Sequence, residues 1–150
     1  MLTPWGISAS MIELDESVYY VTTPEHGGIL AGKRKAISYL SPAAIDLGES
    51  YGMFLAYEED ILMDVVLYEH PEVQDQLRFV TDTSGGKAVA TRSELWESAF
   101  LKLAKYLPDY VAAHREWEWK IFQLLTFEEW QERNRQMFGD ENAPCRHSAT

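Results

Sequence analysis

An α+β fold is what the sequence predicts: a small, mostly antiparallel sheet from the N-terminal third, packed against helices from the remainder. Three observations carry this. β-favouring runs broken by turn residues fill residues 1–57. Capped apolar stripes at helical spacing fill the last third. No long crossover helix separates the early strands, as a parallel sheet would require.

The elements follow in order. Met11 to Leu14 and Val18 to Thr23 flank Asp15-Glu16-Ser17, which reads as a short hairpin loop. Pro24 cannot donate to a ladder and ends the second strand. Gly27-Gly28 permits close packing, and Ile29-Leu30 begins a third short strand. Lys33 to Leu40 reads as one or two helical turns. Ser41-Pro42 has the form of an N-cap followed by proline at the first helical position, opening a helix to Leu47 that Gly48 stops. Met53 to Tyr57 reads as a strand. Glu58-Glu59-Asp60 is then expected to open a helix to Tyr68, with three carboxylates at the positive end of its dipole. His70-Pro71 ends it. Gln74 to Val80 has no clear pattern, and Asp82 to Ala90 reads as a loop around Ser84-Gly85-Gly86.

Helical signals strengthen towards the C-terminus. Thr91-Arg92-Ser93-Glu94 has capping-box spacing, ahead of a stripe at Trp96, Ala99, Phe100, Leu103 and Leu107. Pro108 ends or kinks that helix. A second stripe runs through Tyr110, His114, Trp117 and Ile121. Thr126-Phe127-Glu128-Glu129 is a second capping box, with Leu125 and Trp130 at staple positions, and its helix extends to Phe138 before Gly139. The expected organisation is one α+β domain over residues 1–138, β-rich over 1–57 and helical over 58–138. Residues 139–150 have too few apolar side chains to pack and are expected to form a flexible tail.

Charge bounds the partners. There are 24 acidic and 13 basic residues, a formal net charge of −11. Direct binding to a nucleic-acid backbone is disfavoured, because phosphates must be met by Lys and Arg. Residues 36–77 contain no Lys or Arg, yet hold Asp46, Glu49, Glu58, Glu59, Asp60, Asp64, Glu69, Glu72 and Asp75. This stretch predicts a solvated acidic face suited to a basic partner. Cys145 is the only cysteine, which excludes an internal disulfide and fits a reducing cytoplasm. No apolar run reaches the roughly 20 residues of a membrane span. Met1-Leu2-Thr3-Pro4-Trp5-Gly6 lacks the pattern of a secretory signal.

His26 beside Gly27-Gly28 is the first candidate for chemistry, since a neutral imidazole serves as a base or a metal ligand near pH 7. Glu58, Glu59 and Asp60 are its natural partners at another strand end. His26 with Glu59 is a candidate acid–base pair, and His26 with Glu58 and Asp60 a candidate divalent-metal set. The bland alternative is a histidine that bonds across its turn and acids that cap a helix. His114, on the face of Tyr110 and Trp117, reads as a histidine packed among aromatics. Trp117 and Trp119 point about 200° apart on a helix, so one helix face cannot bury both. An exposed Trp there is a protein-binding anchor. Arg133 and Arg135 read as surface charges. No nucleophile elbow, P-loop or cysteine–histidine nucleophile is present in the sequence.

Thr3-Pro4-Trp5-Gly6, Thr23-Pro24-Glu25-His26-Gly27-Gly28 and Tyr57-Glu58-Glu59-Asp60, in that order, resemble a small bacterial domain family of unknown function. The resemblance covers residues 3–71. It implies a setting in phages, plasmids and integrated elements, near functions that counter host defence, and it points to Trp5, His26 and the Glu58–Asp60 run. No activity comes with it.

Charge, aromatics and that setting together lead to one expectation. The chain is a small acidic, non-catalytic factor of the bacterial cytoplasm. It needs no cofactor and inhibits a nucleic-acid-directed defence complex of the CRISPR or restriction type by occluding a basic surface. Its partner-binding candidates are Trp5, Glu58, Glu59, Asp60, Asp64 and Trp119. The rival expectation is a metal-dependent hydrolase or nucleic-acid-modifying enzyme centred on His26 and Glu58, Glu59 or Asp60, which would need a divalent metal.

Overall fold

The computed structural model describes residues 2–75, 77 and 92–138. It is α+β. Strands β1 (Leu2–Thr3) and β2 (Gly6–Ile7) form a small separate hairpin. Strands β3 (Ser10–Asp15), β4 (Val18–Thr22), β5 (Gly27–Gly32), β6 (Glu49–Tyr51) and β7 (Phe54–Glu58) form one antiparallel sheet in the order β3-β4-β5-β7-β6. Helices α1 (Lys33–Tyr39) and α2 (Pro42–Leu47) interrupt the strands, and α3 (Leu62–Glu69) follows them. The C-terminal part is α4 (Arg92–Tyr106), α5 (Pro108–Leu124) and α6 (Phe127–Phe138).

Pleating gives the sheet two different faces. On the inner face Ile12, Tyr20, Ile29 and Tyr57 form one cross-strand row, and Val18, Ala31 and Leu55 begin another. These residues join Val65 and Val66 of α3 and Ala99 and Leu103 of α4 in the main core. On the outer face Glu13, Tyr19, Leu30, Ala56 and Glu49 form a row across all five strands, with Met11, Val21, Gly28 and Glu58 alongside. Val21, Leu30 and Ala56 are buried there under Trp5, Tyr19, Tyr51 and Phe54. A Cβ on Gly28 would meet the Trp5 ring at 2.8 Å, so glycine is what lets the β1–β2 hairpin close on this face.

Local chemistry explains most boundaries. Ser41 Oγ accepts the Ala44 amide at 3.2 Å and Pro42 stands at the first turn of α2. Pro108 starts α5 rather than merely ending α4. The Thr126 and Glu129 side chains cap each other's amides at 3.1 Å at the start of α6.

Four expectations need correction. The third strand, expected to begin at Ile29-Leu30, starts two residues earlier and runs Gly27–Gly32. The strand expected at Met53 to Tyr57 is the second arm of a hairpin, and its first arm, Glu49–Tyr51, was missed along with β1 and β2. Glu58, Glu59 and Asp60 do not open a helix. Glu58 is held in β7 opposite Gly28, Asp60 takes a left-handed φ of 39°, and α3 begins only at Leu62. The acidic stretch is also not one solvated face. Asp64 and Glu69 are buried by the packing of α3, and Asp75 is paired with Arg92 of α4. The Thr91 cap, the Asp82 to Ala90 loop, most of Gln74 to Val80 and the 139–150 tail lie outside the described residues.

Candidate functional site

The two turns singled out by the sequence do lie side by side. The Glu59 amide donates to Gly27 O at 2.9 Å, which ties the end of β7 to the start of β5. The side chains do not converge on His26. Its amide donates to Thr23 Oγ1 at 3.0 Å, and its carbonyl accepts from the Thr23 amide and hydroxyl. The exposed imidazole makes no hydrogen bond or ion pair with Glu58, Glu59 or Asp60 among the described residues. Glu58 stands on the outer face of the sheet, while Asp60 lies exposed in the turn after β7 with a left-handed φ. His26, Glu58 and Asp60 therefore form no three-ligand cluster, and no hydrogen bond joins His26 to Glu59 as an acid–base pair.

The remaining candidates separate. Trp5 is half-buried on the outer sheet face. Asp64 is only 9% exposed and lies 3.0 Å from Lys102 of α4, so it cannot meet a partner. Trp119 is 60% exposed on α5, while Trp117 is half-buried beside His114. Trp119 stacks on Phe122, which in turn meets Trp130 edge-on.

Titratable groups converge elsewhere, in a cleft of about 340 Å³ lined by the β3–β4 turn, α1, the end of α3, α5 and α6. On one wall His70 Nε2 lies 2.8 Å from Asp15 Oδ2, and the imidazole stacks on Tyr39 with centroids 4.2 Å apart. Burial alone would raise the Asp15 carboxyl, but the Glu16 amide, His70 and Lys35 outweigh it and hold the pKa below the usual carboxylate value. A β-bulge between Glu13 and Asp15 brings Asp15 here. Glu13 pairs with outward-facing Tyr19, but Asp15 pairs with inward-facing Val18, so one extra residue turns the carboxylate to the helical side. Glu72, in the 3-10 turn Pro71–Val73, brings a second carboxylate to the same wall.

Deeper in, Glu69 is buried at the last turn of α3. It accepts from the Ser41 amide at 2.6 Å, from Ser41 Oγ at 2.8 Å and from the Tyr110 hydroxyl. His114 Nε2 lies 3.9 Å from the same carboxylate. Burial, then the neighbouring Glu69, pushes the Tyr110 phenol well up. Tyr68, which packs edge-on against His114, is pushed up to about 12, mainly by burial.

Sequence reasoning missed this cleft. His70 read as a helix stop and His114 as core, and the His114 reading is consistent with its burial among Tyr68, Tyr110 and Trp117. Asp15 and His70 are 55 residues apart, so no local spacing announces the pair.

A family model described as a domain of unknown function (DUF7007) matches residues 1–143. No curated protein and no solved structure matches the chain.

Proposed function

We propose that this chain, which belongs to the DUF7007 family of domains of unknown function, is a non-catalytic binding protein that occludes a basic, nucleic-acid-binding surface on a host defence complex. A CRISPR effector or a restriction enzyme in the bacterial cytoplasm is the concrete target. One observation carries the reading. The seven described strands contain no Lys or Arg, and the outer face of the five-stranded sheet, with Trp5 packed on it, sets Tyr19, Tyr51 and Phe54 among Glu13, Glu49 and Glu58. All the basic residues among 1–77 are Lys33, Arg34 and Lys35, at the start of α1. Carboxylates in such a setting stand in for phosphates against a groove of Lys and Arg. Their field steers association, and half-buried aromatics supply the desolvated anchor. The resemblance to domains of phages and mobile elements points the same way.

Glu25, Glu58 and Asp60 extend this charge to one end of the sheet, all of them exposed. Asp64 plays no part, and Trp119 belongs to the helical side and forms a separate apolar surface. The test is binding of purified CRISPR effectors and restriction enzymes at about 50 and 200 mM salt. Affinity should fall at the higher salt. Glu49→Lys and Glu58→Lys, both on exposed positions, should each weaken it by roughly tenfold, about 1.4 kcal/mol. No binding across the panel, or binding indifferent to salt and to both reversals, would overturn the reading.

A further inference from the structure

We propose that Asp15, His70 and Glu72 form a binding site for a divalent transition-metal ion, Zn²⁺ being the best fit, at the wall of the cleft between the β3–β4 turn and the end of α3. One nitrogen and two carboxylate donors converge there, each offering an atom within 4.8 Å of the others. Zn²⁺ bonds to such donors are about 2.0–2.2 Å long, which in tetrahedral geometry places two donors on one ion roughly 3.3–3.6 Å apart. Asp15 Oδ2 and His70 Nε2, hydrogen-bonded at 2.8 Å, need separate by only about half an ångström once an ion takes the place of the shared proton. Glu72 sits on a flexible side chain, half-exposed, with no hydrogen bond or ion pair to any described residue. A change of rotamer is enough to close its remaining gap.

The supporting structure is what a ligand set needs. Asp15 uses Oδ1 to hold the Glu16 amide at 2.8 Å, which orients the carboxylate and leaves Oδ2 for the ion. The His70 ring is fixed by its stack on Tyr39 and by the helix end, with Pro71 next in the chain. Pro71 also begins the 3-10 turn that carries Glu72 back to the same wall. An isolated Asp–His ion pair accounts for the first contact but not for the convergence of a second, unpaired carboxylate. The imidazole selects for zinc-like ions over Mg²⁺ and Ca²⁺, which prefer oxygen throughout. Three protein ligands leave a coordination position open to the cleft, where Lys35 and Arg133 also contribute to the lining.

The experiment is calorimetric titration of the chelator-stripped, full-length chain with Zn²⁺ alone near pH 7, with Ca²⁺ and Mg²⁺ as parallel titrants. Thermal unfolding with and without Zn²⁺ is measured alongside. A single Zn²⁺ should bind per chain and raise the unfolding midpoint. Glu72→Gln and Asp15→Asn should each weaken binding by roughly tenfold or more, and His26→Ala should leave it unchanged. Glu72→Gln removes no contact to a described residue, so it keeps the test decisive if substitutions at the buried His70 fail to fold. Absence of Zn²⁺ heat overturns the site. So does binding undiminished in Glu72→Gln and Asp15→Asn, which would place the ligands elsewhere, or Ca²⁺ binding as tight as Zn²⁺.

Discussion

Asp64 leaves the acid-rich stretch for the interior, where Lys102 of α4 is its counter-ion. Burial raises its carboxyl pKa, Lys102 lowers it, and the balance remains raised. Such a group favours the folded state in its protonated form. Its stabilising contribution is full below the unfolded value near 3.8 and is lost as pH rises through the higher folded value. Asp64→Asn has no such titration. The variant should therefore gain stability relative to wild type as pH climbs from about 3 to about 7. Urea denaturation at both pH values checks this, and a difference that stays constant or reverses would contradict it. The same residue shows why a run of carboxylates in a sequence does not define a surface. α3 is buried all round from Asp64 to Glu69, so neither acid reaches the surface, and Asp75 meets Arg92 of another helix. His26 illustrates the converse. Its neighbouring glycines serve close packing of the sheet: a Cβ on Gly27 would meet the Val21 carbonyl at 2.6 Å, and one on Gly28 the Tyr57 carbonyl and the Trp5 ring.

Helices meet one another through Glu69, which bonds to the N-cap of α2 from the last turn of α3 and receives the Tyr110 hydroxyl of α5. Three donors share two oxygens in a place closed to water. Glu69→Gln replaces one oxygen with an amide donor; the Ser41 and Tyr110 hydroxyls can turn to accept from it, but their own protons then lose their acceptor. Leaving a buried group unsatisfied costs about 1–3 kcal/mol, and Glu69→Gln should lose that much in a denaturant titration. A loss below about 0.5 kcal/mol would mean that the cluster rearranges freely. Elements defined within themselves were legible. Ser41-Pro42 and the Thr126–Glu129 box name their helices because cap and capped amide are three residues apart. Elements defined across the chain were not. Strands β1, β2 and β6 have two or three residues each, and only their ladders distinguish them from turns. The expected start of α3 failed for the same reason, since acids suited to a helix dipole are equally acceptable at the end of a strand and the Gly28 pairing decides between them. The cleft was least legible, because it depends on a bulge that moves Asp15 across the sheet to meet a histidine from the far end of α3.

At the scale of the whole molecule, a net charge of −11 acts on folding and on association with opposite consequences. The described ion pairs tie only some carboxylates, at Asp15, Glu16, Asp64, Asp75, Glu116, Glu118 and Glu132, with His114 against Glu69 in the interior. Exposed acids such as Glu13, Glu49, Glu58 and Asp60 repel one another across strands that carry no cation. Self-repulsion of this kind weakens the compact state and is relieved by salt. The screening length falls from about 30 Å at 0.01 M to about 8 Å at 0.15 M, enough to separate one end of the sheet from the other. Raising sodium chloride over that range should therefore raise the thermal midpoint of the free protein. Sodium chloride is the right salt, because sulfate stabilises folded proteins through surface exclusion whatever their charge. Over the same range, association with a basic surface should weaken, since the carboxylates that repel one another are the ones that attract the partner. A midpoint that falls with salt would mean that attraction within the local ion pairs outweighs the repulsion between the unpaired acids, and the acidic sheet face would then lose its standing as a charged surface kept for a partner.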